Sequence, residues 1–282
     1  MNPGDRLLHY EIASTLGKGG MGEVYEALDT RLNRPVALKV LAPGLARNPV
    51  SVERFRREAQ AVAAMSHPNV VTVYSVEQDR DVHFLTMERI RGRSLDRLIP
   101  RGGLELGPLF EVALQIVDGI AAAHERGITH RDLKPANVMI GDDGRVRILD
   151  FGLAKLDDGP AGEADRTRTS PLTLEGAIVG TVPYMSPEQV ESRSLDHRSD
   201  LFSLGVILYE MATGARPFQG DTNPALMSSI LRDVPRQVVE LRAELPRHLG
   251  RILHRCLEKD PEQRYQSAAD LAVSYTHLSL PT

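Results

Sequence analysis

Over the first 90 or so residues, apolar and polar positions mostly alternate, which is the period-two pattern of half-buried strands. One stretch departs from it. Between residues 52 and 65 the apolar positions Val52, Phe55, Ala59 and Val62 recur every three or four residues, which predicts a helix. The next 180 or so residues carry mainly this longer period. Residues 109–125 place Val112, Ile116, Ile120 and Ala123 on one helical face, with Gly127 as a stop, and residues 201–212 are apolar nearly all round, as expected of a helix buried on every side. The pattern predicts an α+β chain of two lobes, a small β-rich lobe with one key helix over residues 8–90 and a larger, mainly helical lobe over 91–272. The join falls near residues 87–93, where the apolar strand 82–87 gives way to Arg91-Gly92-Arg93. A cleft between two lobes is a natural ligand site. The last ten residues, 273–282, leave the helical pattern, so the domain is expected to end at 272 and the rest to be a disordered or non-native tail.

Composition removes several function classes. The 282 residues are 41% hydrophobic and 26% charged with net charge −4, enough apolar material for a large core and the wrong sign for a nucleic-acid binder. No apolar run approaches the roughly 18 residues of a bilayer span, and the start lacks a signal peptide's apolar stretch, so a cytoplasmic chain is expected. The single Cys256 excludes an internal disulfide and sits in a helical apolar pattern, as a core thiol would. Of the 34 basic residues only Lys18, Lys39, Lys134, Lys155 and Lys259 are lysines, a bias that a GC-rich, bacterial genome would produce. Where lysine persists against that bias, its chemistry is a candidate requirement.

Three motifs carry that chemistry. His130-Arg131-Asp132-Leu133-Lys134-Pro135-Ala136-Asn137 is followed, 18 residues after its aspartate, by Asp150-Phe151-Gly152. Between them lie a short apolar run, the turn Gly141-Asp142-Asp143-Gly144 and an alternating run, which predict a β-hairpin that brings Asn137 close to Asp150. An amide oxygen and a carboxylate converging there suit a hard divalent cation, and Asp132 is left to take a proton. Upstream, Gly17-Lys18-Gly19-Gly20-Met21-Gly22-Glu23-Val24 fits G-x-G-x-x-G-x-V with strand patterns on both sides. A dinucleotide fold would need a helix at the third glycine, so this is a hairpin whose backbone N–H groups can approach phosphates. In the strand 36–40, Ala37 and Lys39 share one face while Val36, Leu38 and Val40 share the other. Glu58 stands on the inward stripe of the following helix, where an unpaired carboxylate would be costly, and Lys39 is its best partner.

Together these motifs resemble the eukaryotic-like (Hanks-type) serine/threonine protein kinases, over roughly residues 8–272. The resemblance implies a bilobal protein-kinase fold using ATP and Mg²⁺, with Mn²⁺ as a substitute. By similarity Leu16, Gly17, Lys18, Gly19, Gly20, Met21, Gly22 and Val24 cover ATP. Lys39 pairs with Glu58 and touches the α/β-phosphates, and Met87 (the gatekeeper), Glu88 and Ile90 belong to the hinge that receives adenine. Val24, Ala37 and Met139 would flank its ring. Asp132 is then the base for a substrate hydroxyl, Asn137 and Asp150 hold the metal, and Lys134 steadies the γ-phosphate. That lysine implies serine and threonine acceptors in place of tyrosine. Thr181 would bridge Asp132 and Lys134, Glu188 would pair with Arg264, Asp200 would hold the catalytic loop's backbone, and His130 would pack near Phe151. Ser186-Pro187-Glu188 replaces the family's usual Ala-Pro-Glu.

From Asp150 to Glu188 there are 39 residues, polar and aperiodic in the middle. A loop this long is functional or disordered. Thr173, and next Thr169, are the expected sites of activating autophosphorylation, with Arg131 placed to pair with a phosphothreonine. The implied activity is that of a non-specific serine/threonine protein kinase acting on proteins, with a homodimer as one route to phosphorylation in trans. The native protein could be membrane-anchored through a missing C-terminal region. Two alternatives are a pseudokinase scaffold, at odds with the intact set Lys39, Glu58, Asp132, Asn137 and Asp150, and a small-molecule phosphotransferase, at odds with the segment 180–188 and Arg264.

Overall fold

A computed structural model of the chain describes residues 1–19, 22–151 and 181–279. Contacts divide them into two compact units. The first holds Met1–Ser66 and Val71–Ile90; the second holds His67–Val70, Arg91–Phe151 and the described residues from 181 onward.

In the first unit the alternating sequence becomes an antiparallel sheet. Its strands are β1 (Arg6–Leu7), β2 (Tyr10–Gly19), β3 (Gly22–Asp29), β4 (Arg34–Leu41), β5 (Val73–Asp79) and β6 (Val82–Glu88), in the order β1-β2-β3-β4-β6-β5. One face builds the core that the period-two pattern anticipates: Tyr10, Ile12, Tyr25, Ala27, Val36, Leu38 and Phe84, with Val40 packed against them. The glycine motif's third member is fixed by this sheet. Gly22 adopts φ +144°, and a Cβ there would stand 1.8 Å from the carbonyl oxygen of Val40. Short helix α1 (Pro43–Ala46) leads into α2 (Pro49–Ala63), which begins with Pro49 in its first turn and with the Asn48 side chain accepting a hydrogen bond from Val50 N at 2.9 Å. Phe55, Ala59 and Val62 are its buried face, as their spacing predicts.

The second unit is built around two helices. Helix α3 (Leu106–His124) buries Leu109, Val112, Ala113, Ile116, Val117, Ile120 and Ala123, and Gly127 at φ +71° lets the chain turn away after it. By length and composition alone it is the one described helix apolar enough to cross a membrane, but half of that apolar stretch is buried inside the unit. A small sheet, β7 (Gly92–Ser94), β8 (Val138–Gly141) and β9 (Val146–Ile148), packs on it, with β8 and β9 forming the hairpin read from the sequence. Gly119 of α3 is small enough for Ile148 and Asn69 to close on it.

Short α4 (Pro187–Val190) is followed by α5 (His197–Thr213), buried from Ser199 to Tyr209 and again from Met211 to Thr213. Helices α6 (Asn223–Arg232), short α7 (Val238–Leu241), α8 (Arg247–Cys256) and α9 (Ala268–Ser279) complete the unit. Cys256 is fully buried, and that burial pushes its thiol up to about 12, consistent with a core role.

Helix α9 corrects one expectation. The domain does not end at 272 in a disordered tail, because the helix continues through Ser279 and Tyr275 is fully buried, its ring edge-on to Phe110 at 5.6 Å. Ala268, Leu271 and Tyr275 are spaced three and four residues apart, so the apolar face runs on past the polar positions that hide it. Residues 280–282 lie outside the described set.

Candidate active site

The catalytic loop is held by what precedes and follows it. His130 is fully buried, and its Nδ1 accepts a hydrogen bond from Asp132 N at 3.3 Å. Its Nε2 therefore carries the proton and donates to Leu149 O at 2.8 Å, while the ring lies 4.7 Å from that of Phe151. This is the structural role expected of it. Arg131 is exposed at φ +66° and Asp150 sits at φ +58°, both in the left-handed region that non-glycine residues avoid. Such a conformation costs about 1–3 kcal/mol and persists only where neighbours impose it. At Arg131 the neighbour is Asp200, which is buried in the first turn of α5 and accepts from His130 N at 2.7 Å and Arg131 N at 2.8 Å. The expected clamp on the loop backbone is present.

The clamp presents Asp132 in a defined state. Its Oδ2 accepts from Lys134 Nζ at 2.8 Å and from Asn137 Nδ2 at 3.2 Å. Its Oδ1 is buried and has no hydrogen-bond partner among the described residues. Lys134 Nζ also donates to Thr181 Oγ1 at 3.0 Å, so Thr181 and Asp132 meet on one ammonium as the resemblance implies. Asn137 spends its amide hydrogens on Asp132, with Nδ2 also donating to Asp132 O at 2.8 Å, which leaves its carbonyl oxygen as the group able to face a cation. Leu149 N donates to Asn137 O at 2.8 Å and thereby brings the residue before Asp150 against Asn137. The hairpin delivers the juxtaposition that its spacing predicted.

Below the loop, Glu188 and Arg264 form a bidentate pair at 2.7 and 2.9 Å, with Arg264 wholly buried. All five guanidinium hydrogens are used, the other three on Glu258 O, Arg198 O and Lys259 O. Burial would raise the Glu188 carboxyl, but Arg264, a backbone amide and the Ser199 hydroxyl at 2.7 Å outweigh it, and the group is held below the usual carboxylate range.

In the first unit, β3 and β4 set Val24 opposite Lys39, and β4 and β6 set Ala37 opposite Met87, so these four share the sheet face away from the apolar core. Ala37, Lys39 and Met87 are all buried. Glu58 is half-buried on α2. Leu16 is exposed at the β2 end of the glycine hairpin, and Lys18 pairs with Glu23 across it at 2.7 Å. Around Gly17 and Gly19 a Cβ would meet nothing within 4 Å, so protein packing leaves their space open. Glu88 N bonds Thr72 O at 2.9 Å at the edge of the sheet, with Ile90 two residues beyond. Met139 is in the second unit, on β8 opposite Ser94. Gly20, Met21, Thr169 and Thr173 lie outside the described residues.

Three contributors escaped the sequence reading. His124, at the end of α3, bonds Asp200 at 2.8 Å. Gln189 Nε2 donates to Arg131 O at 2.7 Å, and Ser199 supports Glu188. Only Gln189 had a usable signal, the S-x-x-Q capping box that Ser186 and Gln189 do form.

Comparison with known proteins agrees with this geometry. Residues 10–276 match the protein kinase domain family. A probable serine/threonine-protein kinase of Streptomyces coelicolor is 40% identical over 270 residues, covering 94% of this chain and 39% of that one. The serine/threonine-protein kinase PknB of Mycolicibacterium smegmatis is 38% identical over 268 residues, covering 93% and 41%. This chain thus spans about two fifths of the length of such relatives. The crystal structure of the Mycobacterium tuberculosis PknI kinase domain superposes with a TM-score of 0.76 at 24% identity, over 98% of both chains, which establishes the fold. Sequence, site geometry and fold converge: the chain belongs to the protein kinase domain family.

Proposed function

We propose that this domain transfers the γ-phosphoryl group of ATP to serine and threonine hydroxyls of proteins. The observation that carries the reading is the divided state of Asp132. One oxygen is pinned by Lys134 and Asn137, and the other is buried without a partner among the described residues. A buried carboxylate oxygen lacking a donor is costly, and an incoming hydroxyl is the donor that satisfies it while aligning it for in-line attack. Lys134, between Asp132 and Thr181, would meet the transferring phosphoryl oxygens. The acceptor preference rests on that lysine and on relatives named as serine/threonine-protein kinases.

The nucleotide side is assigned to the first unit. The glycine hairpin would cover the phosphates, since the open space at Gly17 and Gly19 is what an approaching phosphate needs. Lys39, partnered by Glu58, would neutralise the α/β-phosphates, and Met87, Glu88 and Ile90 would receive adenine beside Val24 and Ala37. The oxygen donors of Asn137 and Asp150 fit Mg²⁺ or Mn²⁺, which keep waters and phosphate oxygens as further ligands. When bound, such a cation supplies charge neutralisation on the phosphates. Activation would come from autophosphorylation at Thr173 and Thr169, read by Arg131, with a second copy of the chain acting in trans.

Purified protein given labelled ATP, Mg²⁺ and a generic serine/threonine substrate tests this directly. Phosphoamino-acid analysis should return phosphoserine and phosphothreonine, and phosphopeptide mapping should find Thr173 and Thr169. Lys39→Met should lower transfer by about 10²-fold or more, chiefly through lost charge stabilisation, with the melting temperature little changed. ATP binding without any transfer would instead identify a scaffold.

A further inference from the structure

Arg216 is held rigidly beside the turn that follows Thr181. Helix α5 ends at Gly214, whose φ of +71° turns the chain, and Ala215 N donates to Thr213 Oγ1 at 3.2 Å. Two residues beyond Arg216, Phe218 is buried and stacks on Phe202 at 5.8 Å. The backbone of Arg216 is thus pinned on both sides. Its guanidinium lies 5.4 Å from the centre of the Tyr184 ring, and its Nε faces Glu210 Oε1 at 3.5 Å. Tyr184 donates to Glu210 Oε2 at 2.6 Å. Burial and that bond push the Tyr184 phenol well above its ordinary value, so it stays a donor and holds Glu210 in place. Glu210 and Arg216 line a cavity of about 360 Å³ together with Phe218, Gln219 and Leu226.

The ion pair is lopsided. The Arg216 side chain is 47% exposed and that of Glu210 only 16%. Both Glu210 oxygens face partners, one Tyr184 and the other Arg216, so the group offered to an incoming side chain is the cation. Among the described residues the partners of Arg216 are Tyr184 and Glu210, and its 3.5 Å approach to Glu210 is longer than a charge-assisted hydrogen bond. A guanidinium has five N–H donors in a fixed fork, enough for a second carboxylate.

We propose that Arg216 determines substrate specificity by pairing with an acidic side chain near the acceptor serine or threonine. Its location fits that role. Tyr184 closes the 3₁₀ turn Val182–Tyr184, which packs on α5 and α6 and follows directly on Thr181. The Thr181 hydroxyl and Asp132 share the Lys134 ammonium. A substrate whose hydroxyl reaches Asp132 and whose chain runs over this turn carries its neighbouring side chains, at about 3.3 Å per residue, toward Arg216. A basic side chain aimed at Glu210 would have to displace a tethered arginine and reach a mostly covered carboxylate, so the same arrangement selects against it. The inference rests on the phosphotransfer reading and adds to it which protein segments are taken.

Peptides with one threonine acceptor in an alanine and glycine background, with a single glutamate moved from four residues before it to four after, make the test. At one position or two adjacent ones, wild type should show a KM for the glutamate peptide about 5-fold below that for the all-neutral peptide, with kcat within about twofold. Arg216→Gln should erase the difference, and Arg216→Glu should move the preference to the matching lysine peptide. A merely structural role would weaken use of all peptides alike and produce no such exchange. The absence of an acidic preference at every position in wild type, or its survival in Arg216→Gln, would overturn the inference. Arg216→Gln keeps the side chain's length and decides the matter if Arg216→Glu does not fold. Fluorescence anisotropy of the same peptides, labelled, should show the same roughly 5-fold preference in Kd and its loss in Arg216→Gln. An inactive wild type would therefore count against the proposed function and leave peptide binding to decide the role of Arg216.

Discussion

Replacing Asp132 by asparagine is expected to lower kcat for phosphoryl transfer by about 10³-fold while KM for ATP stays within about twofold. The substitution is isosteric, and the amide oxygen can still accept from Lys134 and Asn137. What is lost is the second anionic oxygen, Oδ1, which stands buried and unsatisfied among the described residues and which the substrate hydroxyl would use. Because Asp132 is itself assigned to the acceptor hydroxyl, and the amide oxygen keeps its bonds to Lys134 and Asn137, ATP affinity should not follow the fall in rate. Steady-state kinetics against a serine/threonine substrate, with a thermal melt to establish folding, makes the measurement. A folded Asp132→Asn protein with unimpaired transfer would remove Asp132 from the chemistry.

The second large effect is on stability. Glu188→Gln should destabilise the domain by about 3–5 kcal/mol, because it leaves the fully buried Arg264 guanidinium facing an amide that returns one oxygen and presents two hydrogens. For a chain of this size that is roughly a 10 °C drop in melting temperature. The pH dependence carries the sign. Glu188 is held below its ordinary value of 4.5, so its contribution is complete above that unfolded value and is lost as pH falls through the lower, folded one. Melts of wild type and variant should therefore differ most near neutrality and draw together as pH falls below 4.5. A constant difference from pH 7 to pH 3 would show that the ion pair is not its source.

How much was legible in the sequence depended on whether a signal was local. The β8–β9 hairpin was, since its turn residues and flanking apolar runs lie within a dozen positions, and it gave the approach of Asn137 to Asp150. The sheet faces of β4 were, since period two assigns Val36 and Leu38 to the core and Ala37 and Lys39 to the opposite face. The link from Glu188 to Arg264 spans 76 residues and the link from Asp200 to His130 spans 70; both were reached through the family resemblance, because no local pattern encodes either. His124 was missed for the same reason, being a lone histidine closing a helix whose partner lies 76 residues on. Tyr275 was missed because polar neighbours interrupted an apolar face that packing against Phe110 continues.

The left-handed backbone at Arg131 and Asp150 has a consequence for modularity. A peptide carrying residues 128–152 contains the base, the lysine and both oxygen donors for the cation, yet alone it would relax out of those two conformations, which L-residues disfavour. The restraint on the loop comes from α5 through Asp200 and from α4 through Gln189, which lie 69 and 58 residues beyond Arg131. The reactive arrangement therefore cannot be excised as a minimal catalyst. Its smallest transferable form is the whole helical unit, and any graft of the motif onto another scaffold has to bring the clamp with it.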